Sequence, residues 1–213
     1  MRRIGWLLAA ALLPGLLAAP AAAVLTPVQP TPHAGEVSLL GAGGILDTLY
    51  GLDNVTRLDD SLDGLWARGS YLVSAQARFA GYTQRLGYVP EGGGFIPLFD
   101  VTTSGYLTGS PQAAFTATGP FVFADDPGGA PLWTSLAADN GGQDHLVTFF
   151  ISGGTSRGAY VLAWEDLPFC KADRDYNDLV VEVRPAVPEP ATLLLVGGGL
   201  LGLAGLSRRR LRK

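Results

Sequence analysis

The densest set of side chains able to do chemistry lies between Trp164 and Val183. Trp164-Glu165-Asp166-Leu167-Pro168 is followed, after a short loop, by Asp173-Arg174-Asp175-Tyr176-Asn177-Asp178, which runs into the apolar stretch Leu179 to Val183. Carboxylates and carboxamides are hard oxygen donors, and Asp173, Asp175 and Asn177 alternate as the first side-chain ligands of a calcium loop do. Asp178, with Glu165 and Asp166 from the preceding strand end, could complete an oxygen-only shell. Two positions exclude an EF-hand: Asp178 stands where that loop needs its turn glycine, and Arg184 where its closing bidentate Glu would be. A calcium site here would therefore be built on loops between strands. The same residue types also stabilise tight turns by accepting from nearby backbone N–H groups, and Arg174 can pair with Glu165 or Asp166 to tie the loop ends together. Turn chemistry and calcium chemistry both stand at this level.

Other candidates are sparser. In the acidic stretch Asp53 to Asp63, Asp59 or Asp60 can cap a helix starting at Ser61, a role that needs no ligand. Asn54-Val55-Thr56 has the form of a glycosylation acceptor, a three-residue pattern that also arises by coincidence. Of the two histidines, His33 falls in a linker and Asp144-His145 reads as a surface turn, and no serine stands in a nucleophile elbow. Gly41-Ala-Gly-Gly44 lacks the Lys-Ser/Thr of a phosphate loop, and there is no Cys/His cluster for zinc. A carboxylate pair for glycoside hydrolysis would depend on a separation that sequence does not show. The expectation is a protein that is not an enzyme, with calcium as its one candidate cofactor. The single Cys170 excludes an intramolecular disulfide, so stability must come from packing or metal.

The elements that must position these residues are strands. Windows 70–82, 94–101, 114–118, 145–151, 158–164 and 178–184 are short, rich in β-branched and aromatic residues, and bounded by Gly, Pro, Asn or Asp. Leu39 to Leu52 and Asp60 to Trp66 read as short helices, and Pro131 to Ala138 fits neither pattern cleanly. The expected fold is mainly β: a single jelly-roll-like β-sandwich over residues 36–185 with one or two short helices, preceded by an extended, proline-bearing linker at 24–35. About 150 residues suffice for one domain with its own core.

Both ends carry targeting signals. Arg2 and Arg3, the apolar run Ile4 to Ala19, and Ala21-Ala22-Ala23 form the three regions of a secretory signal peptide over residues 1–23, with Ala21 and Ala23 at the cleavage site. At the other end, Val187-Pro188-Glu189-Pro190 is an extended, accessible motif, because its prolines forbid helix interior. Ala191 to Leu206 then carries no charge, a short transmembrane helix of about 24 Å, and the basic end at 208–213 stays on the cytoplasmic side. Seven of the 15 Lys and Arg lie in these ends, but only Glu189 of the 19 Asp and Glu. The body thus has 8 basic against 18 acidic residues, a formal charge of −10 where the whole chain has −4. Such a body is unsuited to nucleic acid and suited to divalent cations.

The order of motif, short span and Arg-rich end over 186–213 resembles the PEP-CTERM sorting signal of Gram-negative bacteria. The resemblance implies recognition by an exosortase, which cuts near the motif, after delivery by the secretion machinery. The precursor would be anchored in the inner membrane through the C-terminal helix, and the product would go to the cell surface or exterior. Gly-Ala-Tyr-Val-Leu-Ala-Trp-Glu-Asp with Asp173, Asp175, Tyr176, Asn177 and Asp178 resembles an uncharacterised bacterial β-domain of unknown function. Looser likeness reaches upstream through Leu49-Tyr50-Gly51, Thr56-Arg57-Leu58-Asp59-Asp60 and Ala80-Gly81-Tyr82, and Phe169-Cys170-Lys171 departs from the glycines common in that family's gap. The expected role is a non-catalytic matrix or surface β-domain associated with biofilm, exopolysaccharide or envelope components. The alternatives are a calcium-dependent ligand- or carbohydrate-binding module using aromatics near Tyr82, Tyr88 and Trp133, and, further off, a secreted hydrolase.

Overall fold

The structure is a computed structural model that describes residues 25–30 and 33–186. The cleavage residues Ala21 and Ala23, the motif Val187 to Pro190, the apolar run and the basic end lie outside the described residues. Among the described residues no helix is long and apolar enough to cross a membrane.

In chain order the elements are α1 (Ile45–Tyr50), a 3-10 turn (Leu52–Asn54), β1 (Val55–Arg57), β2 (Gly69–Arg78), β3 (Gln84–Pro90), β4 (Ile96–Val101), β5 (Gly105–Tyr106) and β6 (Gln112–Ala117). There follow β7 (Phe121–Asp125), β8 (Trp133–Thr134), a second 3-10 turn (Ala137–Asn140), β9 (Leu146–Ile151), β10 (Tyr160–Trp164) and β11 (Leu179–Pro185). The fold is mainly β. Seven strands form one antiparallel sheet in the order β1-β9-β10-β11-β2-β5, with β6 also pairing β2, and four form a second in the order β4-β3-β7-β8.

The central strands of the larger sheet read as unbroken apolar runs because both their faces are covered. In β10, Leu162 and Trp164 enter one core while Val161 and Ala163 enter another. The first core lies between the sheets, where Leu162, Trp164, Val181 and Val183 meet Leu86 of β3 and Phe121 and Phe123 of β7. Its rings pack edge to face, as with Trp66 and Phe123 at 5.0 Å between centroids. On the opposite face, Leu39, Ile45 and Leu46 cover Val147, Phe149, Val161 and Ala163. A register shift opposite Val180 and Val181 lets Ala75 and Ala77, two residues apart on β2, serve different cores.

The six expected strand windows all contain strands, whereas β3 and β7, the centre of the smaller sheet, and the short β1, β5 and β8 were not among them. The helix expected over Leu39 to Leu52 shrinks to α1, because Gly41 and Gly43 take φ of 90° and 75° and hold the chain out of helix. No helix forms over Asp60 to Trp66. There Asp59 accepts from the backbone N–H and hydroxyl of Ser61, and Trp66 forms a β-bridge to Phe121 instead. Residues of the expected linker rest on the body: the N–H of Gln29 donates to the Arg174 carbonyl at 2.8 Å, and Val28 packs on the second core.

Candidate metal centre

The register of the larger sheet creates the site. Trp164, the last residue of β10, pairs with Leu179, the first of β11. The next residue on each strand, Glu165 and Asp178, is therefore brought to the same sheet end. The Asp178 carboxylate accepts the N–H of Asp166 at 2.8 Å. One carboxylate oxygen from each of Glu165, Asp166 and Asp178 lies within 4.8 Å of the other two, with Glu165 and Asp166 buried and Asp178 half-buried. Calcium–oxygen bonds of about 2.3–2.6 Å allow ligands on one ion to stand up to roughly 5 Å apart, so the spacing fits.

The other expected ligands divide. Asp173 and Asp175 stand within the same 4.8 Å limit of Glu36, a residue the sequence reading did not include. Glu36 enters from the far end of the chain and carries no local signal of this role. Asn177 is turned toward the loop itself: its amide donates to Asp175 at 2.6 Å and to the Val37 carbonyl at 3.1 Å. Its carbonyl oxygen is buried without a partner. Five of the six expected residues thus fall into two adjoining groups, with Asn177 in neither. Glu36, Glu165, Asp166, Asp173 and Asp178 line one cavity of about 140 Å³, with His33 and Lys171 also on its wall.

The loop that carries them is conformationally demanding. Arg174 and Tyr176 take φ of 62° and 57°, in the left-handed region that bulky residues rarely adopt. The surroundings hold them there. The N–H of Arg174 donates to Glu165 at 2.9 Å, and the wholly buried Tyr176 donates its hydroxyl to the Asp144 carbonyl at 2.7 Å. Arg174 thus reaches Glu165 through its backbone, while its guanidinium lies over the Phe169 ring at 4.3 Å. Turn chemistry is present as well, since Asp175 accepts the N–H of Asn177 at 3.1 Å.

Burial and crowding push these carboxyls upward. Glu165 rises to about 8, through burial first and then the charge of Asp173. Asp166 rises to about 6, with Gln84, which donates to it at 2.6 Å, and Arg78 easing its ionisation. Asp175 rises to about 7 through burial and Asp173, and Asp178 is held well above the ordinary range by burial, Asp166 and Glu165. Among the described residues Arg78 is the only buried Lys or Arg, and it bonds backbone carbonyls of Tyr82 and Thr102. Deeper still, both carboxylate oxygens of the fully enclosed Asp125 have no hydrogen-bond partner. Beyond Arg78 and the contact of His33 with Asp173 at 3.1 Å, a hard cation in the cavity would add the positive charge that so many converging carboxylates call for.

Two expectations fail here. His145 is not on a surface turn: it is wholly buried, stacked on Trp133 at 3.7 Å and bonded through Nδ1 to the Glu165 carbonyl at 2.8 Å. Trp133 is buried too, its indole N–H donating to the Asp166 carbonyl at 2.8 Å. Neither is presented to a ligand. Both brace the strand end that carries Glu165 and Asp166. Of the aromatics named for sugar binding, Tyr82 alone is well exposed, at 41 %.

No curated protein matches the chain. Residues 102–186, which run from β5 to the end of β11 and include every expected ligand but not Glu36, match a family described as a domain of unknown function (DUF4114). Residues 186–210 match the PEP-CTERM protein-sorting motif, so the chain carries an exosortase sorting signal directly behind β11, and with it export as a membrane-anchored precursor.

Proposed function

We propose that the exported body is a non-catalytic cell-envelope or extracellular module, a jelly-roll-like sandwich of the two sheets, whose acidic sheet end is closed by calcium. The observation that carries this reading is the convergence of the Glu165, Asp166 and Asp178 carboxylates within 4.8 Å, mostly buried, beside a second triad of Glu36, Asp173 and Asp175. Calcium suits an oxygen-only shell of this kind, and the exterior supplies it. One ion would join β10 to β11 and both to the segment at Glu36, which comes from the other end of the domain.

The cavity size argues against a hydrolase site at this sheet end. Pockets for organic ligands measure about 300–1,000 Å³, whereas this one is about 140 Å³, enough for an ion with its waters. A carbohydrate or envelope partner is favoured only at the rim, where the exposed Tyr82 borders the cavity. The test is thermal unfolding of the protein purified from the envelope, with calcium and with chelator. Calcium should raise the melting temperature and chelator reverse the rise; coincident curves would remove the ion.

A further inference from the structure

We propose that the opposite end of the body, bearing Leu62, Leu65 and Pro185, is the face held against the lipid surface in the membrane-anchored precursor, with the two leucines in the lipid interface. β11 ends at Pro185, and the sorting motif begins with the next residue. From Pro185 to Ala191, where the uncharged run starts, the chain spans at most about 20 Å even fully extended. Whatever surrounds Pro185 is therefore tethered within that distance of the bilayer.

What surrounds it is apolar. A groove of about 560 Å³ is lined by Leu62, Leu65, Trp66, Phe150, Tyr160 and Pro185. Leu62 at 70 % and Leu65 at 64 % are the two most exposed large hydrophobic side chains among the described residues. No Asp or Glu lines this groove or the neighbouring one of about 430 Å³, which holds Arg68 with Pro185 and Ala186, whereas Glu91 and Asp139 line a further groove of about 340 Å³ that shares Leu65. The acidic cavity lies at the other end of the same strand: β11 begins beside Asp178 and runs to Pro185, about 20 Å away. A body of net charge −10 is repelled by anionic lipid at its acidic end and can approach at this one. Leucines flanked by aromatic rings and an arginine have the composition of an interfacial contact. The proposal is independent of calcium.

The native chain provides its own control, because its one cysteine, Cys170, is exposed and adjoins the acidic cavity. The full chain is reconstituted into vesicles of phosphatidylethanolamine and phosphatidylglycerol with a fluorophore on Cys170, or on Leu62→Cys or Leu65→Cys in a Cys170→Ser background. Labels at positions 62 and 65 should lose most of their emission to a nitroxide-bearing lipid and be shielded from aqueous iodide, while the label on Cys170 shows the reverse. Iodide access at all three positions with no lipid quenching would overturn the proposal. So would shielding of 62 and 65 that arises only when exosortase is co-reconstituted, since the occupant would then be a protein.

Discussion

Asp178 accepts the backbone N–H of Asp166 at 2.8 Å, so the first residue before β11 is fastened to the chain leaving β10 by the carboxylate that also faces Glu165 and Asp166. One side chain thus has a structural bond and an unrelieved electrostatic conflict. Asp178→Asn separates them, because the amide oxygen can keep the bond while the charge is gone. In chelator the variant should be at least as stable as the parent, and at about pH 9 more stable by on the order of 1 kcal/mol. In calcium it should lose most of the thermal shift. Chemical denaturation of both proteins, with and without calcium, checks this; an undiminished calcium shift would place the ion elsewhere.

The pH dependence follows from the raised carboxyls. Asp166, Asp175 and Glu165 bind protons up to about 6, 7 and 8 in the folded protein, but only to about 4 in the unfolded chain. Their contribution is fully present below about pH 4 and is lost as pH rises through 6 to 8. The chelated protein should therefore become less stable across that window, and saturating calcium should flatten or reverse the slope. Melting temperatures from pH 5 to about 9 test the sign; a chelated protein that gains stability above pH 6 would contradict it.

Glu36 distinguishes a shared centre from a purely local loop. Glu36→Gln removes one carboxylate of the second triad and leaves the Glu165, Asp166 and Asp178 group untouched. Calcium affinity should fall, with a smaller loss than in Asp178→Asn. An unchanged affinity would mean that Glu36 takes no part.

His145 should stay neutral through the physiological range. Burial lowers its pKa, opposed only by the bond to the Glu165 carbonyl. Its imidazole resonances should titrate below the ordinary value of about 6.5. Titration at or above that value would mean an exposed ring, and the bracing role of the Trp133–His145 stack would be lost.

Five of the seven strands of the larger sheet were legible because their apolar runs are bounded by turn residues, and the acidic cluster because seven polar residues crowd between two such runs. β3 was hidden by Arg85, Gly87 and Pro90, which break the pattern of Gln84–Pro90, although Gly87 is there for space. A Cβ at Gly87 would collide with the Ile96 carbonyl and the Phe95 ring. Gly87→Ala should therefore cost about 1–3 kcal/mol, read as a lower denaturant midpoint. β7 was hidden by brevity: five residues between Gly119-Pro120 and Asp126. Glu36, Gln84 and Arg78 could not be assigned to the site from sequence, because only the pairing of distant strands brings them there. The helix expected at 60–66 failed to a local competitor, the Asp59 turn, reinforced by the distant bridge from Trp66 to Phe121.

The most direct test of the central claim is calorimetric titration of calcium into the metal-stripped protein. The site described here predicts saturable binding, with a dissociation constant near the roughly 0.1–1 mM of extracellular calcium modules or tighter, and loss of that binding in Asp178→Asn. No heat of binding in the parent, or equal binding in the variant, would contradict it.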